Sequence, residues 1–242
     1  MSEQVTPYKD SNLGKKEQVT QMFDTISGNY DGLNRVISFG IDVKWRKKVL
    51  QLVSEKNPEN ILDIATGTGD LAILMTKTNA KKIIGLDISE GMLEVGKKKI
   101  AERKLDTIIE MVIGDSEQMP FADNHFDAVL CAYGVRNFQD LPKGLSEMCR
   151  VMRAGGRLAI LEFSQPKTFP VKQVFSIYFK YVMPLFGKMV SKHSTAYNYL
   201  PESVMAFPEG QDFCKILEQC GYKNVKARPL TFGITSLYTA EK

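Results

Sequence analysis

The chain opens with a polar stretch, residues 1–14, and its first apolar stripe is Val19, Met22, Phe23 and Ile26. That i, i+3, i+4, i+7 spacing is one face of an amphipathic helix beginning at Lys15. Gly28 and the run Tyr30-Asp31-Gly32 predict an interruption, a second helix is expected over about Asp42 to Ser54, and Asn57-Pro58 closes the region. Short apolar runs then alternate with helical patterns. Strands are predicted at Asn60–Ala65, Lys82–Ile88, Thr107–Ile113, Phe126–Tyr133 and Arg157–Phe163, and helices near Leu71–Thr78, Gly91–Lys104 and Pro142–Met152. The last of these helices carries Leu145, Met148, Cys149 and Met152 on one face and is expected to stop at Gly155-Gly156. Strands separated by helices at this spacing build βαβ units, and hence a doubly wound α/β sheet.

Residues 166–208 leave that rhythm. Val171, Val174, Phe175, Tyr178, Phe179 and Val182 read as one broad apolar face, with Lys172, Ser176 and Lys180 opposite. An aromatic segment over 167–190, placed after the fifth strand at the ligand-binding end of the sheet, predicts a lid that admits a lipid tail. A helix at Glu209–Cys220 follows, then two strands, Tyr222–Thr231 and Gly233–Ala240. They are too close for a crossover helix and so should pair antiparallel. The expected architecture is a seven-stranded, mostly parallel sheet with an antiparallel last strand. Its expected parts are an N-terminal helical region (1–57), a cofactor-binding core (58–165), an inserted helical lid (166–208) and a C-terminal helix with a strand pair (209–242).

Composition narrows the function classes. Hydrophobic residues make up 43% and charged residues 25% of 242, ordinary for a globular core. A net charge of +4 is too small and dispersed to indicate nucleic acid, yet suits weak attraction to an anionic membrane surface. Cys131, Cys149, Cys214 and Cys220 include no Cys-x-x-Cys pair and sit among apolar residues, so buried, reduced thiols are expected, with no metal site. The first residues carry no apolar signal core, and no apolar run is long enough to span a bilayer. The expectation is a cytoplasmic protein, peripheral at most at the membrane; a homodimer stays open.

The sharpest local signal is Asp63-Ile64-Ala65-Thr66-Gly67-Thr68-Gly69-Asp70, between a strand and a helix. Glycines there permit a tight turn and close approach of a ligand to the backbone. Asp87, at the end of the next strand, is placed to accept hydrogen bonds from two ribose hydroxyls. Gly67-x-Gly69-x-x-Ala72 also satisfies the dinucleotide fingerprint, so a dehydrogenase is the rival reading. A pyrophosphate wants positive potential at the helix N-terminus, whereas Asp63 and Asp70 flank this turn. Those carboxylates suit an ammonium and a sulfonium, which favours S-adenosylmethionine. Asp115, after the third strand, can accept the adenine amino group, with Ser116 beside it. Loop, ribose carboxylate and adenine carboxylate together resemble the class I methyltransferases. The fourth strand runs into Cys131-Ala132-Tyr133-Gly134-Val135-Arg136-Asn137, without the Asn/Asp-Pro-Pro-aromatic motif of amino-methylating nucleic-acid enzymes. No nucleic-acid partner is expected.

The stretches YDGLNRVISFGIDVKW (30–45) and RVMRAGGRLAILEFS (150–164) resemble the two signatures of the ubiquinone/menaquinone biosynthesis C-methyltransferases. GDSEQMPF, AYGVRNF and YNYLPESVMAFP also match, so the resemblance spans roughly residues 15 to 240. Asp42 stands where the first signature usually has His, and Ala154 where the second usually has Pro. The resemblance implies methyl transfer from S-adenosylmethionine to a ring carbon of a polyprenylated quinol, demethylmenaquinol foremost. The alternatives are the 2-polyprenyl-6-methoxy-1,4-benzoquinol of the ubiquinone pathway and a non-catalytic cofactor-binding subunit of a quinone-synthesis assembly. Residue by residue, it implies that Thr68, Asp87, Asp115 and Ser116 contact the cofactor, alongside Asp63, Gly67 and Gly69 of the loop. It places Tyr30, Arg136 and Asn137 on the acceptor side, while Ala132 replaces a serine used by some relatives. Arg136 cannot be a free base, because guanidinium stays protonated, but it can stabilise a quinolate. His193 is a candidate base, and His125 is expected to be solvated.

Overall fold

The computed structural model describes residues 4–182 and 195–242. Its strands are β1 Asn60–Ile64, β2 Lys82–Asp87, β3 Ile109–Ile113, β4 Phe126–Ala132, β5 Met152–Phe163, β6 Lys223–Leu230 and β7 Thr235–Glu241. They form one sheet in the order β3-β2-β1-β4-β5-β7-β6. Strands β1 to β5 pair in parallel, and β7 runs antiparallel to both β5 and β6.

The central strands are buried on both faces, as expected where helices cover a parallel sheet on each side. The helices are α1 Lys15–Ile26, α2 Tyr30–Ile37, α3 Ile41–Ser54, α4 Asp70–Met75, α5 Glu90–Glu102, α6 Leu141–Val151, α7 Val171–Ile177, α8 Thr195–Ala206 and α9 Gln211–Gln219. Side chains alternate along each strand, so Leu62 and Ile64 join the layer under α6 and α9 while Ile61 joins the layer under α3 and α4. Among the described residues no helix is long and apolar enough to cross a membrane. Cys131, Cys149 and Cys214 are buried free thiols, and Cys220 is half-buried.

Three local expectations need correction. Tyr30-Asp31-Gly32 does not break the helical region; it opens α2, and the break is a single 3-10 turn at Ser27–Asn29. Asp31 in the first turn of α2 complements the helix dipole, which offsets part of the propensity cost of Gly32, about 1 kcal/mol. Second, α6 does not run to the glycine pair. It ends at Val151, and the extended Met152 carries the chain directly into β5. Strand pairing steps from Phe126↔Met152 to Ala128↔Arg157, so Gly155-Gly156 make a bulge inside β5, with Gly155 at φ +74°. A glycine pair signals a bulge as well as a helix stop.

Third, the broad apolar face of residues 171–182 is divided. Phe175 is buried, whereas its neighbour Val174 is exposed, so α7 and the π-helical turn after it, Tyr178–Val182, have one face inward and another in solvent. His193 and residues 183–190 of the expected lid lie outside the described residues.

Candidate functional site

The strand order reverses between β1 and β4, and the crevice outside their carboxyl ends is where open α/β sheets take ligands. Two non-glycine residues there hold left-handed backbones, Ala65 at φ +51° after β1 and Tyr133 at φ +63° after β4. Each such conformation costs about 1–3 kcal/mol, and strain of this kind gathers where a ligand must be met. Gly69 has φ +79°, which glycine alone adopts freely. At Gly134 a Cβ would lie 2.5 Å from the Ala65 Cβ, so glycine lets the two loops close on each other.

Two cavities open at this edge. One, of about 700 Å³, is lined by Leu86, Asp87, Asp115, Ser116, Asn137 and Phe138 among others. The second, of about 1110 Å³ with its mouth, includes Asp42, Trp45, Arg46, Thr68, Arg136 and Phe163 in its wall. They share Phe23, Tyr30, Ala65, Gly67, Ala132 and Tyr133. Tyr30, read from the sequence as an acceptor-side residue, therefore stands at the junction, its ring edge-on to Phe23 at 6.0 Å.

The first cavity is built on hydrogen-bonded carboxylates. Asp87 accepts from the Gly67 amide (2.7 Å) and the Ser89 amide (2.9 Å), and burial raises its pKa. No cation pairs with it among the described residues. Asp115 accepts from the Glu117 amide at 2.9 Å and from Lys16 Nζ at 2.7 Å. Asp63 is buried in the wall of the second cavity, accepting from Thr66 Oγ1 (2.6 Å) and the Ala72 amide (3.1 Å), and burial pushes it up to about 7.

Thr68 is drawn away from the first cavity. Its hydroxyl donates to Asp31 Oδ1 at 2.5 Å and accepts from Lys99 Nζ at 3.0 Å. Lys99 also binds Asp70 at 2.6 Å, so the loop's charge pattern is softer than the sequence implies: Asp70 is neutralised by a lysine.

The helices α1 and α2 are tied to this edge through three polar side chains that sequence reading missed. Lys16 binds Asp115 and Glu117, the latter at 3.0 Å. Asp24 Oδ1 accepts from Ser89 Oγ (2.6 Å) and the Gly91 amide (3.0 Å), and Asp31 pairs with Lys99 at 2.7 Å.

The second cavity combines aromatic rings with charged side chains, one of them in a buried ion pair. Arg136 is 8% exposed and Glu162 is 0%, their closest approach 3.0 Å. The same guanidinium donates to the Tyr133 carbonyl and lies 5.7 Å from the Phe163 ring centre. Burial opposes its charge, but Glu162 outweighs that and holds the pKa of Arg136 above its usual value. Its Nε, also buried, has no acceptor among the described residues. Asn137 Oδ1 accepts from Tyr199 Oη at 3.1 Å. Burial pushes Tyr199 up to about 12. Asp42 accepts from Ser38 Oγ at 2.7 Å and pairs with Arg46, one turn further along α3. The spacing of Ser38, Asp42 and Arg46 at i, i+4, i+8 was a signal for this cluster that the sequence reading did not use. His125 is exposed, its ring against Phe126.

The comparisons with known proteins agree with this geometry. The family model described as the ubiE/COQ5 methyltransferase family matches residues 11–242. A Bacteroides fragilis protein named demethylmenaquinone methyltransferase is 49% identical over 242 aligned residues, covering 99% of this chain and 98% of its own. A Geotalea daltonii protein named ubiquinone/menaquinone biosynthesis C-methyltransferase UbiE is 44% identical, covering 94% of this chain and 97% of its own. Among solved structures, a SAM-dependent methyltransferase from Aquifex aeolicus superposes with a TM-score of 0.59 at 20% identity, covering 81% of this chain and 88% of its own.

Proposed function

Since the chain belongs to the ubiE/COQ5 methyltransferase family, we propose that it transfers the methyl group of S-adenosylmethionine to a ring carbon of demethylmenaquinol, giving menaquinol. The observation that carries this reading is the pair of cavities, one around Asp87 and Asp115 and one around Trp45, Arg136 and Phe163, meeting at Tyr30, Gly67, Ala132 and Tyr133. The residues present fit the cofactor: among the described residues Asp87 has no paired cation, and it lines the first cavity together with Gly67. Asp87 holds the ribose, while Asp115 and Ser116 meet the adenine. Asp63, in the wall of the second cavity next to the shared Gly67 turn, would supply negative charge towards the ammonium and sulfonium. Bound there, S-adenosylmethionine supplies an electrophilic methyl group, so the protein's tasks are orientation and exclusion of water.

The acceptor carbon becomes nucleophilic when its neighbouring hydroxyl loses a proton to a water molecule; the carbon takes the methyl as its bond to sulfur breaks, then gives up its own hydrogen as a proton to solvent to restore the aromatic ring. Arg136, kept cationic by Glu162, stabilises the resulting quinolate oxygen as an electrostatic group already in place before reaction. Tyr30 positions the ring at the junction; Asn137, expected on the acceptor side, lines the first cavity instead and reaches the acceptor side only through its hydrogen bond from Tyr199. The benzoquinol of the ubiquinone pathway is a second reading, supported by the double name of the Geotalea daltonii relative. Transient attachment at a membrane surface belongs to the same proposal, since a polyprenyl quinol resides in lipid.

The test is direct. The purified protein, methyl-labelled S-adenosylmethionine and a short-tailed demethylmenaquinol kept reduced should yield a product heavier by one methyl. Label transferred to the benzoquinol alone would favour the second reading, and transfer to neither acceptor would overturn both.

A further inference from the structure

The rings of Trp45, Tyr133, Phe163, Phe179 and Phe175 form a row, with successive centres 6.2, 4.6, 6.4 and 4.2 Å apart. The first three line the aromatic cavity, and the last two belong to α7 and the π-helical turn after it. One face of this segment therefore packs behind the cavity wall, through Phe179 against Phe163. The other face has no partner among the described residues. Val174, Ile177 and Tyr181, at i, i+3 and i+7, are 64%, 56% and 60% exposed.

The unpartnered face continues onto a second element. Phe39, at the corner between α2 and α3, is 78% exposed and sits 6.3 Å from the Tyr178 ring, while Tyr178 Oη donates to the Ile37 carbonyl at 2.9 Å. Single exposed apolar residues are ordinary, but a stripe joined to a neighbouring corner marks an interaction surface. Its charge is one-sided. Residues 167–182 contain Lys167, Lys172 and Lys180 and no Asp or Glu. Lys180 lies 5.3 Å from the Tyr181 ring, and Lys167 reaches Glu209 of another segment at 3.6 Å.

We infer that this face seats on an anionic lipid bilayer and that the aromatic row conducts the prenyl tail of the acceptor from the cavity into the membrane. The tail path rests on the acceptor assignment made above; the lipid contact rests on the surface alone. An apolar stripe flanked by lysines is what interfacial helices present to the headgroup–acyl boundary, and Tyr181 offers an apolar body with a polar tip. A second copy of the chain fits less well, because two such faces would bring lysines against lysines.

Flotation of the full chain with vesicles, without substrate or cofactor, tests this. The protein should float with mixed phosphatidylcholine–phosphatidylglycerol vesicles, less with phosphatidylcholine alone, and less again as salt rises. Replacing Val174, Ile177 and Tyr181 together with Ser should lower vesicle affinity at least about 10-fold, through lost apolar insertion. The melting temperature and turnover on a tail-less acceptor should not change, since these side chains are exposed. Failure of the wild-type protein to float on mixed vesicles would overturn the inference, as would equal flotation of the triple variant. A dimer in solution that the triple substitution dissolves would overturn it too, by naming another occupant. Methyl transfer is scored separately. If the wild-type protein floats through this stripe yet methylates no demethylnaphthoquinol, the acceptor assignment and the tail path fail while the lipid contact stands.

Discussion

The two cavities at the carboxyl edge of the sheet are made of different material. On the cofactor side, Asp87 and Asp115 are fixed by main-chain amides within two residues of them, and Asp87 also by Gly67 across the turn. On the acceptor side, the wall includes rings from α3, the loop after β4 and the end of β5, backed by Phe179 of the π-helical turn, with a buried ion pair beside them. Hydrogen bonds to nearby backbone fix a group from within its own loop. Ring packing and a buried charge fix a group only through the finished tertiary structure. The acceptor side should therefore be the more fragile of the two.

The largest expected effect follows from that fragility. Arg136→Ala should cut turnover at least about 100-fold through loss of the quinolate stabiliser. It should also lower stability by about 3–5 kcal/mol, because it leaves Glu162 buried without its cation. Joining it to Glu162→Gln should recover most of the stability in urea unfolding and none of the turnover, while cofactor affinity stays near the wild-type value. Near-normal turnover in the single variant would remove Arg136 from the chemistry.

On the other side, Asp87→Ala should weaken S-adenosylmethionine binding by about 2–4 kcal/mol, the loss of charge-assisted hydrogen bonds to two hydroxyls. Calorimetric titration reads this directly. Affinity unchanged within about threefold would break the assignment of the first cavity, since about 1.4 kcal/mol is a factor of ten.

The same contrast decides what could be read from the chain alone. The strand–glycine turn–helix unit, the carboxylate ending β2 and the antiparallel last pair are local patterns, and the structure forms each of them. Glu162 was legible only as a residue of a strand; closure of the sheet brings it against Arg136, 26 residues away in sequence. Trp45, Tyr133, Phe163 and Phe179 share no local period, so no window of sequence announces the row. The apolar run of 171–182 was visible, but periodicity cannot divide a face that is apolar towards both the cavity and the solvent. The glycine pair of β5 was ambiguous for another reason: glycine serves helix stops and bulges alike, and strand register decides between them.

A third effect is smaller and depends on pH. Burial holds Asp63 at about 7, well above the ordinary carboxylate value of 3.8. The ligand-free protein therefore binds a proton that the unfolded chain has already released. That contribution to stability is fully present below about pH 4 and is lost as pH rises through about 7. A bound sulfonium and ammonium favour the ionised carboxylate, so cofactor binding should release protons near neutrality. Affinity should rise by up to about 10-fold between roughly pH 6 and 8, with binding heats that vary with the ionisation enthalpy of the buffer. Asp63→Asn should flatten its share of that slope. An unchanged slope in the variant would mean that Asp63 does not sense the cofactor.

The smallest effect probes how the N-terminal helices are tied to the cofactor side. Asp24 lies on α1, yet its carboxylate accepts from Ser89 Oγ and from the Gly91 amide in the first turn of α5. The Ser89 amide in turn donates to Asp87, so one chain of hydrogen bonds joins α1 to the ribose carboxylate. Asp24→Ala removes the acceptor and the negative charge at the N-terminus of α5, and should cost about 1 kcal/mol in stability. Asp24→Asn keeps an acceptor and should recover roughly half of that. Cofactor affinity should fall only a few-fold in the alanine variant, because both main-chain donors to Asp87 remain, while release of bound S-adenosylhomocysteine in stopped flow should quicken as α1 loosens. If release is unchanged and stability still drops, Asp24 is a helix cap alone, and the N-terminal helices are held to the cofactor side by Lys16 and Asp31.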